Sequence, residues 1–447
     1  MSAAAGTVGA APLPVARRGG GVWDVYRVEA RKLSSQLLVR IALAVCVLGP
    51  FLFLAVIKTQ ATLPADTLFG RWLHTSGFAL PFVMLGFAGE AGFFVLVSVV
   101  AGDMFASEDR YGTWQTVLTR GCRRQDVFIG KTLVAATYSL LVVLLLAVSS
   151  LVSGLILIGS QPVIGLAGEL LSPDRALSLT LLSWSTAILP VLAFTSLGLL
   201  FSIATRSGVI GMLAPVVIGG MMALFSILGF RTLMLTTAFD AWHALLIRSP
   251  DPGPFVQGSI VSIAYIAFCL SLGWRLVGRR DFAGSVPAAR RVDRTARIRA
   301  GVLAVAAVLV LGAASYRPSP IDSSSLQYSV TSTLVNLMHV KQQLVDGPVV
   351  IKGKTFAPGA PIHLRPSCVR GGQEGPSRGP GNDWVCTMEI GPQGNPFQFE
   401  IDVDAKGNGC FTASMDSLLV GPLSIYDYRG HTVINPLYEF DGCVDTP

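Results

Sequence analysis

Charged side chains are scarce in this chain. Of its 447 residues, 51% are hydrophobic and only 14% are charged, whereas a soluble globular protein carries about 25% charged residues. This shortage excludes an ordinary soluble domain as a description of the whole chain. Histidine is scarce as well, with five residues scattered along the sequence, and this pattern predicts no metal or catalytic cluster.

Motifs for binding nucleotides or for hydrolysis are also missing. A phosphate-binding loop needs a glycine five residues before its Gly-Lys-Thr triplet, but Gln125 and Pro348 stand at that position before the triplets at Gly130 and Gly353. Neither H-E-x-x-H nor G-x-S-x-G occurs. We therefore expect no catalytic residue, no metal site, no bound cofactor and no enzyme activity in this chain.

The chain contains several long apolar runs. An apolar stretch of 18 or more residues with few charges indicates a membrane-spanning helix, and the first apolar run lacks the exit site of a cleavable signal, so we expect it to stay as an anchor. The sequence predicts seven spans, at about Leu38–Ile57, Leu80–Phe105, Leu133–Leu157, Leu177–Ala204, Val209–Gly229, Val256–Val277 and Ile298–Ala314.

The basic residues predict how these spans are oriented. Lys and Arg crowd three segments: the one before the first span, the loop after the second and the loop after the sixth. Because cytoplasmic loops are enriched in Lys and Arg, we expect a multi-pass plasma-membrane protein with a cytoplasmic N-terminus. The tail after Arg317 is then extracytoplasmic. The net charge of +7 does not indicate nucleic-acid binding, since these charges flank spans and form no patch on a soluble domain.

The pattern divides the chain into six parts. A cytoplasmic amphipathic helix at the membrane interface is expected over 22–37, because Trp23, Tyr26, Ala30 and Leu33 recur at helical spacing. The other parts are a disordered N-terminus (1–21), a six-helix membrane domain (38–278), a basic cytoplasmic linker (279–297), the seventh span (298–316) and an extracytoplasmic domain (317–447).

Four of the seven cysteines lie in the predicted extracytoplasmic domain: Cys368, Cys386, Cys410 and Cys443. An even set in an exterior domain predicts two disulfides, and neighbours in sequence favour Cys368–Cys386 and Cys410–Cys443. A zinc site is the alternative, but no CxxC or HxxxH spacing supports it. Short alternating runs with Gly and Pro between them predict a small α+β or mostly β fold.

The stretch 101–132 is dense in charge and lies between two spans. Glu108, then Gly112-Thr113, then Arg120, and Gly130-Lys131 near the next span form a pattern that resembles the cytoplasmic loop of ABC type-2 exporter permeases. The entry helix resembles that family too, in Glu29 and Lys32-Leu33, as do the six spans. The resemblance covers about residues 22–280. The seventh span and the exterior domain depart from the family.

This resemblance implies a fold, a function and partners. The chain would be an all-α permease subunit, with ATP and Mg²⁺ held by a separate ABC ATPase and with a second permease copy beside it in the lipid membrane. The residues implied in coupling to the ATPase are Glu108, Gly112, Thr113, Arg120, Arg123, Arg124 and Lys131, with Trp23, Glu29, Lys32 and Leu33 on the interfacial helix. The apolar interior favours export of an amphiphilic, lipidic, peptide or drug-like substrate.

Glu90 is a candidate for the substrate pathway. A carboxylate inside a span faces, as a rule, the interior of the bundle or an aqueous cavity; the alternative is that Glu90 lies at the outer membrane interface. A different function also stays open for the whole chain, that of a membrane-anchored receptor or envelope-organising protein acting through its exterior domain. An integral membrane transferase is disfavoured by the missing catalytic groups.

Overall fold

The computed structural model describes residues 21–59, 67–114, 122–227, 230–279, 321–371, 377–390 and 397–444. Several predictions lie outside these residues: the disordered stretch 1–20, Arg120, the basic linker beyond Arg279 and the seventh span at 298–316.

Six of the described helical stretches are long and apolar enough to cross a membrane, and each overlaps a span predicted from hydropathy. They are Leu37–Thr59, Ala79–Tyr111, Arg124–Leu157, Pro173–Thr205, Gly208–Ser226 and Gly253–Gly278. The helices extend beyond some of the apolar runs, most clearly in the third span, which begins at Arg124 and not at Leu133.

Individual helices make up these spans. An entry helix, α1, precedes them at Val22–Ser35. The first three spans contain α2 (Leu37–Thr59), α3 (Ala79–Phe87), a π turn (Ala88–Gly92), α4 (Phe93–Ala101), α5 (Ala106–Tyr111) and α6 (Arg124–Leu157). The last three contain α7 (Pro173–Thr186), α8 (Ile188–Thr205), α9 (Gly208–Ile227) and α11 (Gly253–Gly278), with the short α10 (Leu235–Ala238) and a 3₁₀ turn (Phe239–Leu245) before α11.

The six spans form a bundle with two distinct ends. One end, here called the α1 face, carries α1, α5 and the first turn of α6, and Arg124 at this end donates a hydrogen bond to the carbonyl of Gly278, 3.1 Å away. The other end carries the loops after the first, third and fifth spans. A helix of 23 residues such as α2 is about 34 Å long at 1.5 Å per residue, which separates the two ends by the thickness of a membrane core.

The C-terminal region is an α+β domain, one of the two folds that the sequence allowed. Its long helix α12 (Ser323–Val345) is capped by Asp322, whose carboxylate accepts a hydrogen bond from the amide of Ser325 at 2.8 Å. The strands are β3 (Val349–Ile351), β4 (Lys354–Phe356), β5 (Arg365–Arg370), β6 (Gly381–Ile390), β7 (Phe397–Ala405), β8 (Cys410–Ser414), β9 (Ser424–Tyr426), β10 (Thr432–Ile434) and β11 (Glu439–Cys443), with a short helix α13 (Ser417–Val420).

Five of these strands form one antiparallel sheet in the order β11-β8-β7-β6-β5. In β7 the buried side chains alternate with the others, because successive residues of a strand point to opposite faces; Phe399, Ile401 and Val403 pack in the core. Helix α12 packs against β5 and β11. The two outer pairs of strands each carry a disulfide.

Both expected disulfides are confirmed. Cys368 in β5 lies directly opposite Cys386 in β6 and is bonded to it. Cys410 in β8 is likewise opposite Cys443 in β11 and bonded to it. The zinc alternative is wrong, because all four thiols are used in these two bonds. Within the described ranges, no group of three His, Cys, Asp or Glu side chains is placed to hold a metal ion.

The C-terminal domain packs on the end of the bundle opposite α1. The side chain of Asn336 in α12 donates a hydrogen bond to the carbonyl of Ala167 at 2.8 Å. Ala167 belongs to the loop between the third and fourth spans, in which β1 (Val163–Ile164) pairs with β2 (Leu170–Leu171). We call this end of the bundle the domain face.

Candidate functional site

Charged residues from three separate elements meet at the α1 face in one buried ion cluster. The ammonium of Lys131 in α6 lies 2.8 Å from a carboxylate oxygen of Glu29 in α1. The same ammonium lies 3.2 Å from an oxygen of Glu108 in α5 and donates a hydrogen bond to the carbonyl of Met104 at 3.0 Å. Lys32 of α1 reaches that oxygen of Glu108 as well, at 2.6 Å. The cluster joins α1, α5 and α6.

Burial makes the charged side chains of this cluster depend on one another. Lys131 is fully buried and Glu108 is 3% exposed, so neither charge is solvated by water and each depends on its partners. Burial lowers the pKa of Lys32, but its hydrogen bond to Glu108 and the charges of Glu29 and Glu108 outweigh burial and raise its pKa above the ordinary value. Lys32 is therefore held in its charged form near neutral pH.

Gly130, next to Lys131, allows α1 to approach α6 closely. A Cβ at Gly130 would lie 2.7 Å from a methyl group of Val25, a distance that forces atoms to move. Val25 and Glu29 are the buried residues of α1. The side of α1 that packs on the bundle is thus centred on Val25 and on Glu29, which the family resemblance had singled out without predicting its burial. The pattern of apolar residues had pointed to the side of Trp23 and Leu33.

Trp23 and Leu33 are placed differently from each other. Trp23 is 56% exposed, stacks on Tyr26 and lies under the guanidinium of Arg27. Leu33 is half-buried and packs against the core. An exposed Trp beside a cation suits the boundary between membrane and water. The position of α1 at the membrane interface stays a prediction.

The short helix α5 is fixed at both ends. Its first amides, from Phe105 and Ala106, donate hydrogen bonds to the hydroxyl of Ser202 in α8 at 3.1 and 3.0 Å. Its last residue is followed by Gly112 in the left-handed conformation, with φ of 65°, and Thr113 donates its hydroxyl to Glu108. Sequence reasoning missed Ser202, since a serine within a span carries no signal of its partner.

Gly112, one of the residues that the family resemblance implies in coupling, ends α5. Nothing lies within 4 Å of a Cβ built there, so within the described chain glycine serves the positive φ at the end of α5, which other residues adopt with strain.

The surface that a partner can touch consists of the neighbours of the cluster. Glu108 and Lys131, which the family resemblance implies in coupling, are buried inside the chain, and their role in coupling stays a prediction. Arg110 and Tyr111 are exposed instead, and Arg110 holds Asp103 through hydrogen bonds of 2.9 and 3.0 Å. Arg123 and Arg124 are exposed at the start of α6.

Glu90 lies in the π turn of the second span, and its side chain is exposed on the surface of the bundle. The structure therefore does not place it in the interior of this chain. Its charge acts on Asp240 in the loop after the fifth span. Burial, together with Glu90, raises the pKa of Asp240 to about 6, against the opposing effect of Arg231. π turns are frequent at functional sites, which is compatible with a role of Glu90 in a substrate pathway. That role stays a prediction.

At the domain face, Arg71 locks the C-terminal domain to the bundle. Its guanidinium lies 3.0 Å from Glu439 and 3.2 Å from Asp441 in β11. Asp441 also accepts a hydrogen bond from the amide of Phe69 at 3.2 Å. Arg71 and Asp441 are 4% and 6% exposed. Sequence reasoning missed this contact, because about 370 residues separate its partners.

The fold and these contacts define a class: a polytopic membrane protein whose small disulfide-bonded C-terminal domain is ion-paired to one end of its helical bundle. A family model described as a protein of unknown function, DUF2705, matches residues 71–283. The match runs from Arg71 through the sixth span and leaves out α1 and the C-terminal domain. No curated protein matches the chain.

Proposed function

We propose that this chain is the transmembrane permease subunit of an ATP-binding-cassette exporter, with ATP hydrolysed by a separate subunit bound at the α1 face. The observation that carries the proposal is the ion cluster of Lys131, Glu108, Glu29 and Lys32. It ties the two surface helices, α1 and α5, to a membrane-spanning helix through buried charges.

A subunit that is moved by a soluble partner needs such a connection. Rigid elements transmit a displacement as a rigid-body motion, whereas a flexible loop absorbs it. Helix α5 is linked to α6 by Lys131 and to α8 by Ser202. A push on α5 or α1 would therefore reach the third and fourth spans together.

The charges of the α1 face suit a cytosolic protein partner. Arg110, Arg123 and Arg124 are exposed at this face, as is Tyr111, and Arg and Tyr are enriched among the residues that dominate protein interfaces. Under this proposal the α1 face is cytoplasmic and the C-terminal domain extracytoplasmic, where its disulfides would persist. A second permease copy completes the pathway, and the apolar spans favour an amphiphilic substrate.

Purification of the tagged full chain from its native membranes tests the proposal. We expect a nucleotide hydrolase to co-elute, and we expect Arg110→Ala with Tyr111→Ala to lower its recovery roughly tenfold or more. Arg248→Ala is the matched control, since Arg248 is exposed near the domain face. Recovery of a partner only through the C-terminal domain, with no hydrolase, would favour the receptor function instead.

A further inference from the structure

A cavity of about 430 Å³ lies at the domain face, between the loop before α11 and the C-terminal domain. The loop contributes Arg231, Asp240 and His243, and the domain contributes Asn408 and the Cys410–Cys443 disulfide. This volume falls within the range of small-molecule sites. The cavity is at the opposite end of the bundle from the ion cluster, and the proposed function does not use it.

The cavity contains a cation whose ion-pair partner lies beyond hydrogen-bond distance. The guanidinium of Arg231 lies 3.8 Å from Asp240, which is beyond hydrogen-bond distance. The side chain is only 20% exposed, so its interactions are little screened by water. An oxygen of a ligand can therefore become the closest acceptor of this guanidinium, as planar Arg suits carboxylate and phosphate oxygens.

His243 adds a second unsatisfied group. It is 8% exposed, and its Nδ1 has no hydrogen-bond partner in the part of the chain that the structure describes. Buried polar atoms without a partner are rare. Burial, with the charges of Arg231 and Lys406, lowers the pKa of His243 to about 3. The ring is thus neutral near pH 7, and two positive charges act on it.

The rest of the lining combines polar residues, among them Asp251 and Gln257, with apolar residues that reach into the membrane domain. Gly258 and Val261 line the cavity and lie within the first three turns of α11, the sixth spanning helix. Ile247 and Pro254 add further hydrocarbon surface. The cavity therefore reaches from the C-terminal domain to apolar residues in the first turns of a membrane span.

We propose that this cavity binds an acidic amphiphile, with its carboxylate or phosphate head at Arg231 and His243 and its hydrocarbon tail along α11. The site is built jointly by the membrane bundle and the C-terminal domain, which gives that domain a ligand-binding role. The inference depends on the chain alone and not on a partner ATPase, so that it stands or falls separately from the proposed function.

Binding of dansyl-labelled undecanoic acid to the full chain in phosphatidylcholine nanodiscs tests this proposal. We expect saturable binding of the acid and little binding of its uncharged methyl ester. Arg231→Gln should weaken binding of the acid roughly tenfold or more, because it removes a charge-assisted hydrogen bond. Arg248→Gln, which alters an exposed arginine of the same loop outside the cavity, should leave binding unchanged.

Two further arms complete the test. Ala244→Phe fills the cavity while keeping Arg231, and it should weaken binding in a protein that still melts cooperatively. Competition by lauric acid or by dodecyl phosphate shows whether the carboxylate or the phosphate head is preferred, and displacement by either supports the site. Equal binding of acid and ester, or equal losses in Arg231→Gln and Arg248→Gln, would overturn the proposal.

Discussion

The ammonium of Lys131 and the carboxylate of Glu108 lie 3.2 Å apart inside the chain, where they are 0% and 3% exposed. The pair connects the beginning of the third span to the short helix that ends the second. A buried pair of this kind contributes little net stability when formed, but removal of one partner leaves a charge stranded. The pair instead holds α5 and α1 in fixed positions.

The first prediction compares the two lysines of the cluster. Lys131→Met leaves Glu29 and Glu108 buried without a shared cation, and we expect the free energy of unfolding to fall by about 3–5 kcal/mol. Lys32→Met should cost only about 1 kcal/mol, since the Lys32 side chain is 41% exposed. Thermal melting of the detergent-purified chain measures both. If Lys32→Met lowers the free energy of unfolding as much as Lys131→Met does, Lys131 is not the central cation of the ion cluster.

The second prediction concerns the contact of α1 with α6. Gly130→Ala places a methyl group 2.7 Å from Val25, and such overpacking should destabilise the protein by about 1–3 kcal/mol. The double variant with Val25→Ala should recover only part of this loss, because it removes the nearest methyl group but keeps the Cβ of residue 25, 2.9 Å away. Melting temperature provides the measurement.

Gly86→Ala is the matched control for that substitution. Nothing lies within 4 Å of a Cβ at Gly86, and alanine in a helix should be neutral or slightly stabilising. If Gly130→Ala behaves like Gly86→Ala, α1 does not pack on α6 as described.

The third prediction concerns the attachment of the C-terminal domain. Arg71→Gln leaves Asp441 buried without its cation, and we expect a loss of about 3 kcal/mol or more. Hydrogen exchange should also accelerate at the amide of Phe69, which donates to Asp441. Arg429→Gln alters an exposed arginine of the same domain and should change neither quantity. Unchanged exchange at Phe69 in Arg71→Gln would show that Arg71 does not hold the domain.

The fourth prediction is a pH dependence of the cavity. Asp240 has a pKa raised to about 6, and the charges of Arg231 and Glu90 act on it. It lines the cavity together with His243 and Asp251. As the pH falls from 7 to 5, Asp240 gains a proton and loses its negative charge, so affinity should rise for an amphiphile whose head stays anionic over this range, such as an alkyl sulfonate. His243, with a pKa of about 3, stays neutral in this range. Asp240→Asn should remove the pH dependence of ligand affinity. If the affinity of this variant still changes with pH, a group other than Asp240 is responsible.

The spans and the disulfides could be predicted because their signals are local. An apolar run of membrane length specifies a helix without reference to the rest of the chain, and the bonded cysteines are neighbours in the order of cysteines in the domain. The ends of the helices were less predictable. The third span begins nine residues before its apolar run, at Arg124, because its first turns bury Val127, Phe128 and Lys131 against protein.

The contacts of the candidate site were predictable only in part. Glu29, Lys32, Glu108 and Lys131 were singled out by resemblance to a family, but their meeting in one cluster depends on packing between elements that lie far apart in sequence. A charged stretch between two spans is expected to be exposed at the membrane surface. Glu108 becomes buried only because α1 packs over it. The pairing of Arg71 with Asp441 has no local signal at all.

The central claim is that the α1 face binds a nucleotide hydrolase from the cytosol. Photo-crosslinking in native membranes tests it most directly, with benzoylphenylalanine in place of Tyr111, which is 70% exposed, and in place of Tyr426, 73% exposed on the C-terminal domain, as the control. We predict that position 111 crosslinks to an ATP-hydrolysing polypeptide and that position 426 does not. The claim would be contradicted if no nucleotide hydrolase were captured at position 111, or if a membrane-impermeant reagent labelled that position from outside intact cells.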